Sequence, residues 1–150
     1  MHDEVRLRPY RTDDVEPTIV LWRSAWRAAM PEVDFDARLD WWRKRWVEEL
    51  VPANTIVVAE RHGSVAGFVV IDPATGWLDQ MVVEPEKWGS GIAEKLIDEA
   101  KRISPASIRL DVNQSNARAI RFYERVGFVR TGSGANANSG AATFLYEWNP

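Results

Sequence analysis

The stretch from Trp77 to Ala100 changes its hydrophobic period in the middle, and that change constrains everything around it. Trp77-Leu78-Asp79-Gln80-Met81-Val82-Val83 is a bounded apolar run with β-branched residues at its end, the pattern of a strand. Pro85 stops it, because proline has no N–H to extend a ladder. After Gly89-Ser90-Gly91 the period becomes helical. Ile92, Leu96, Ile97, Ala100 and Ile103 form one apolar stripe, and Glu94, Lys95, Asp98, Glu99, Lys101 and Arg102 cover the opposite face. A strand running through a Gly-X-Gly turn into a helix can hold a phosphate. The turn leaves backbone N–H groups unpaired, the helix N-terminus carries about half a positive charge, and glycine has no Cβ to block approach. The same residues also serve as a plain tight turn. The third glycine of a dinucleotide fingerprint and the Gly-Lys-Ser/Thr of a P-loop are both missing, which disfavours a nucleotide-binding domain.

A second stretch, Leu110 to Phe128, narrows the reading. Asn116, Ala119, Phe122, Tyr123, Glu124, Gly127 and Phe128 spell Asn-X-X-Ala-X-X-Phe-Tyr-Glu-X-X-Gly-Phe, and upstream Val83, Pro85, Gly89, Gly91 and Ala93 fit Val-X-Pro followed by Gly-X-Gly-X-Ala. With these two blocks in this order, and a strand between them, the chain resembles the GNAT superfamily of acetyl-CoA-dependent N-acetyltransferases. The resemblance covers residues 77–128 directly and the remainder through element order. It implies acetyl-CoA as cosubstrate and central strands, ending at Val83 and Val112, that splay into a V-shaped slot for pantetheine. The cofactor residues it implies are Met81, Val82, Val83, Lys87, Trp88, Gly89, Ser90, Gly91, Ile92, Ala93, Asn116 and Tyr123. Two positions depart from the pattern. Glu86 stands where arginine or glutamine is usual and Trp88 where arginine is frequent, so the loop offers a pyrophosphate less positive charge, with Lys87 to compensate.

At 150 residues, 45% of them hydrophobic, the chain is expected to form one domain, residues 1–150. Its net charge of −3 gives no electrostatic footprint for nucleic acid or an anionic membrane surface. The absence of cysteine excludes disulfides, thiolate nucleophiles and cysteine-ligated metals, and no metal is expected. No leader pattern or bilayer-length apolar run is present, so a soluble cytoplasmic protein is expected.

Along the chain, Val5 to Pro9 reads as a strand, and a first helix starts at Thr12-Asp13-Asp14 and ends at Pro31, with Val15, Ile19, Trp22, Trp26 and Met30 as its stripe. A second helix runs from about Asp36 to Pro52 on Leu39, Trp42, Trp46 and Leu50. Thr55–Glu60 and Val65–Ile71 are strands joined by hairpin chemistry, Ser107–Val112 is the next strand, and a helix capped near Ser115 or Asn116 ends at Gly127. Ser133 to Gly140 reads as a polar loop before a last strand, Ala142 to Trp148. The order β-α-α-β-β-β-α-β-α-β-β is that of an α/β (α+β) domain with a mixed, mainly antiparallel central sheet and about four flanking helices, GNAT-like in arrangement.

Acetyl transfer to an amine needs a held thioester, donors for its oxygen, a route for the amine's proton and an acid for the departing thiolate. Direct attack by the acceptor in a ternary complex meets these without a covalent intermediate. The resemblance implies that backbone amides near Met81 and Val83 hold pantetheine, that Tyr123 is the general acid, and that Asn116 touches the pantetheine arm. Each has a structural alternative: ladder bonding, a core aromatic and a helix cap. Asp79 is the candidate base, because strand alternation puts it on the face of Trp77, Met81 and Val83; it could equally be a surface aspartate, and a bulge would reverse its facing. His2 and His62 are weaker rivals.

The acceptor is expected to be a small-molecule or peptide amine, and Trp22, Trp26, Trp41, Trp42 and Trp46 are mostly core, with Trp41 free to wall a flat or apolar amine. The rival of a different class is a catalytically silent acyl-CoA-binding regulatory module. A homodimer through the final strand or the tryptophan-rich helices is also compatible with the sequence.

Overall fold

The computed structural model describes residues 5–136 and 139–150. Strands β1 (Val5–Pro9), β2 (Thr55–Arg61), β3 (Ser64–Ile71) and β4 (Leu78–Val83) form an antiparallel sheet in that order. Strands β5 (Ile108–Asn113), β6 (Val129–Ala135) and β7 (Ala142–Trp148) form a second antiparallel sheet in the order β5-β7-β6. The helices are α1 (Val15–Ala29), α2 (Leu39–Arg45) running through a π-helical segment, Trp46–Leu50, into the single turn α3 (Val51–Ala53), then α4 (Ile92–Ile103) and α5 (Ala117–Arg125).

The first sheet is covered on both faces, because alternate residues of each strand belong to different cores. Val57, Ala59, Val69 and Ile71 pack with Ile92, Leu96, Ile97 and Ala100 of α4. Ile56, Val58, Phe68 and Val70 pack with Ile19 and Trp22 of α1 and with Trp42, Trp46 and Leu50 of the second helical segment. The indoles stack within that second core, Trp22 lying 4.4 Å from Trp42 at an interplanar angle of 8°. Pro52 sits inside the last turn of this segment rather than ending it, and the π-helical residues are one register that a 3.6-residue stripe does not spell out.

The sheets meet at one point. Trp77 bridges Arg109 in parallel, and the Arg109 N–H donates to the Gly76 carbonyl at 2.9 Å. From there β4 and β5 diverge toward Val83 and Asn113 and leave a V-shaped opening, as expected for strands that splay. Gly76 makes the junction: its φ is +78°, and a Cβ there would lie 2.6 Å from the Ser107 carbonyl oxygen.

Two expectations are corrected here. The polar run from Ser133 is not all loop, since residues 133–135 complete β6; Ala137 and Asn138 lie outside the described residues. β7 is flanked on both edges by β5 and β6, so a second copy cannot add to the final strand by ladder pairing.

Candidate active site

A cavity of about 830 Å³ occupies the V and continues under α1 and α2. One wall is the free edge of β4. The Glu84 N–H donates to the Ala66 carbonyl of the β3 side at 2.8 Å. By antiparallel alternation Val82 and Gln80 then direct their N–H and C=O groups to β3, and Met81 and Val83 direct theirs into the slot. The Val83 carbonyl is taken there by the Trp88 indole N–H at 2.9 Å.

Beyond β4 a 3-10 turn, Pro85–Lys87, leads into Gly89-Ser90-Gly91, with Gly91 at φ 97° in the left-handed region. The Ser90 N–H is consumed by the Lys87 carbonyl at 3.1 Å and the Ser90 hydroxyl by the same oxygen at 2.5 Å. Among the described residues the N–H groups of Gly89, Gly91, Ile92, Ala93 and Glu94 have no intramolecular acceptor. These amides and the α4 dipole form a cradle for an anion at the mouth of the slot. Lys87, Trp88, Gly89 and Ala93 line the cavity, whereas Ser90, Gly91 and Ile92 are not part of its lining. Arg118, from the first turn of α5, lies 3.6 Å over the Trp88 ring and brings a cation to the loop that the sequence alone did not place there.

Asn116 caps α5, its Oδ1 accepting from the Ala119 N–H at 3.3 Å, and it also lines the cavity. Tyr123 is buried between Phe122 and Phe128, each ring 5.4 Å away and edge-on. It is therefore both a core aromatic and a cavity residue. Its hydroxyl has no hydrogen-bond partner among the described residues, and burial raises its pKa, opposed by the charge of Arg118 and reinforced by that of Asp111. The phenol is protonated at neutral pH.

Asp79 does not share the facing of Met81 and Val83. The β3–β4 register pairs Ile71 with Leu78 and Val70 with Gln80, so Asp79 is the extra residue of a β-bulge and the alternation breaks at it. Its carboxylate is gripped by the Arg45 guanidinium in two hydrogen bonds, 3.1 and 2.8 Å, across a separation of 34 residues. The carboxylate that the sequence reading missed is Asp111, in the middle of β5, which lines the same cavity. Burial raises its pKa, and the nearby charge of Asp79 raises it further. The signal was an acidic residue between Leu110 and Val112, two fully buried positions of one strand. His62 occupies the exposed β2–β3 turn outside the cavity lining, and His2 lies outside the described residues.

The cavity thus joins an anion cradle, a free strand edge, a buried phenol and a carboxylate with no ion-pair partner among the described residues. Known proteins resemble the chain in sequence and in fold. The chain is 26% identical over 130 residues to peptidyl-lysine N-acetyltransferase YjaB of Salmonella typhimurium, covering 85% of this chain and 86% of that one. It is 38% identical over 76 residues, 45% of this chain and 50% of the relative, to the [ribosomal protein bS18]-alanine N-acetyltransferase of Escherichia coli. In fold it matches PaiA N-acetyltransferase from Thermoplasma acidophilum, solved in complex with coenzyme A, with a TM-score of 0.81, 18% identity and coverage of 98% of this chain and 99% of that one. The family model described as Acetyltransferase (GNAT) family matches residues 16–128, three quarters of the sequence, and the chain belongs to that family.

Proposed function

We propose the following course for the acetyl transfer that this family membership gives the chain. Acetyl-CoA, the cosubstrate, supplies the activated acetyl group as a thioester. The amides from Gly89 to Glu94, with Lys87 and Arg118, hold its phosphates, and the free edge of β4 at Met81 and Val83 pairs with the pantetheine arm. The Val83 N–H and its neighbours on this edge also polarise the thioester oxygen. Coenzyme A bound in the Thermoplasma acidophilum relative supports this reading.

The acceptor amine enters from the α1–α2 side. Its nitrogen bonds to the thioester carbon as the carbon–sulfur bond breaks. The amine's proton passes to Asp111, whose raised pKa suits it to accept one, and the Tyr123 hydroxyl donates to the departing sulfur. Asp79, fixed by Arg45, positions the strand and adds its charge to Asp111. The relatives' amines, peptide lysine and ribosomal-protein alanine, support a primary amine as acceptor. No helix among the described residues is long and apolar enough to cross a membrane, and we assign the reaction to the cytoplasm.

The observation that carries the proposal is the presence, in one cavity, of a Tyr123 hydroxyl with no hydrogen-bond partner and an Asp111 with no ion-pair partner among the described residues. The test is thermal unfolding with and without acetyl-CoA, then thiol release across a panel of amines. A ligand at one hundred times its dissociation constant adds about 2.7 kcal/mol. A shift followed by thiol release supports catalysis, and a shift with no release from any amine makes the chain a binding module.

A further inference from the structure

The acceptor half of the cavity carries a more specific message, which rests on the acetyl-transfer reading. We infer that the acceptor is an amine with one positive charge on a flat aromatic body, an arylalkylamine, and not a polycation or a lysyl side chain on a peptide.

Charge comes first. Three carboxylates line the cavity: Glu94, on the first turn of α4 beside the anion cradle and paired with Arg125 at 3.1 Å, and Asp79 and Asp111 on the strands. Asp79 is already engaged by the bidentate Arg45, with both side chains largely out of solvent, at 15% and 19% exposure. Among the described residues that leaves Asp111 as the cavity carboxylate with no ion-pair partner, open to an ammonium. Arg38 lines the acceptor half and has no ion-pair partner among the described residues, so a second or third ammonium on the acceptor meets a guanidinium that nothing there offsets. A single-ammonium acceptor fits these groups, and an aminoglycoside or polyamine does not.

Shape comes second. Trp41 is 42% exposed although its ring lies only 6.1 Å from the buried Trp42, so an indole face is held at the cavity rather than absorbed into the core. Trp26, Met30 and Val33 are partly buried on the same wall. Aromatic faces of this kind favour stacking with a flat ring and attract a nearby cation. The alkyl chain of a lysyl residue would leave the indole uncovered and would bring polar peptide backbone to an apolar wall.

Initial rates of thiol release with phenethylamine and tryptamine, against ethylamine, spermidine, kanamycin and a blocked lysyl peptide, test the inference. The expected result is a kcat/KM for the two aromatic amines at least tenfold above every other acceptor. In a Trp41→Ala variant the ratio of kcat/KM for phenethylamine to that for ethylamine falls at least tenfold. That ratio is insensitive to the fraction of protein that folds. Calorimetric titration of phenethylamine gives a readout without turnover, and its Kd rises at least fivefold in the same variant. Preference for spermidine, kanamycin or the peptide, or an unchanged ratio in Trp41→Ala, overturns the inference and leaves acetyl transfer standing. No thiol release with any of these acceptors overturns both.

Discussion

The Arg118 guanidinium stacks 3.6 Å over the Trp88 ring while the Trp88 indole N–H holds the Val83 carbonyl at 2.9 Å, so one side chain ties the end of β4, the Gly89-Ser90-Gly91 turn and helix α5 together. Trp88 stands where arginine is frequent in the family, and here it seats an arginine supplied from another element. Arg118→Ala is expected to weaken coenzyme A binding about tenfold at low salt, the loss shrinking as salt screens the phosphate contact. Binding of pantetheine, which lacks the pyrophosphate, should change less than twofold. Calorimetry with both ligands on both proteins checks this, and equal losses would mean that Arg118 acts on the slot's shape instead.

Tyr123→Phe separates chemistry from folding. The hydroxyl has no partner among the described residues and the ring fills the core between Phe122 and Phe128, so the variant keeps the packing and strands no hydrogen-bonding group. Melting temperature should stay within about 2 °C and kcat should fall about 10²-fold or more, the usual size of a lost general acid. Full turnover in the variant would remove the acid from the mechanism.

The loop and the helices flanking it are legible in the sequence because they depend on local pattern. The period change at Gly89, the stripe of α4 and the cap at Asn116 all lie within a few residues of the features that cause them. Asp79 is different. Its bulge leaves no local mark, and its partner Arg45 arrives from a helix 34 residues earlier. The same is true of Arg118 on Trp88, which requires two elements to be packed before either residue has a neighbour. Ser133 to Ala135 has the composition of a loop, and becomes strand because β7 offers it an edge.

Asp111→Asn should trade activity for stability. The folded pKa is raised, chiefly by burial and then by Asp79, so the folded state binds the proton more tightly than the unfolded chain does. Stability from this group is therefore full below the ordinary carboxylate pKa of about 4 and is lost as pH rises through the raised folded value. Asn removes that loss, and the variant should melt higher than the parent at pH 7 with a smaller difference at pH 4. Meanwhile kcat/KM of the parent should rise with pH through a pKa above the usual carboxylate range, and this limb should vanish in the variant as activity falls about 10²-fold. A pH–rate profile alongside melting curves reads both.

Gly76→Ala tests the junction from which the V opens. A Cβ at this position meets the Ser107 carbonyl oxygen at 2.6 Å, and φ of +78° strains any side chain. The left-handed conformation alone costs about 1–3 kcal/mol. The clash adds to it and pushes Arg109 off the Gly76 carbonyl, the bond that joins the sheets. A lower denaturation midpoint together with weaker coenzyme A binding is expected. A midpoint unchanged within error would show that β4 and β5 are held together elsewhere.

Asp14 runs opposite to Asp111 in its pH dependence. Its carboxylate, 4% exposed, accepts two hydrogen bonds from Arg8 at 2.8 and 2.9 Å and one from the Arg11 N–H at 2.7 Å. The Arg8 hydrogen bonds hold its pKa below the ordinary carboxylate value, outweighing burial. Its stabilisation is therefore fully present above about pH 4 and is lost as pH falls through the depressed folded value. Asp14→Ala leaves Arg8 with the Pro9 carbonyl at 3.1 Å and, for its charge, the longer contact to Glu60 at 3.5 Å, and should cost about 3–5 kcal/mol at pH 7, as expected when one member of a buried pair is removed. That difference from the parent should narrow below pH 4, because the parent's own Asp14 then begins to protonate. Urea unfolding at pH 7 and pH 3 checks both the size and the direction. A penalty that stayed constant with pH would mean that packing, and not the ion pair, is what Asp14 contributes.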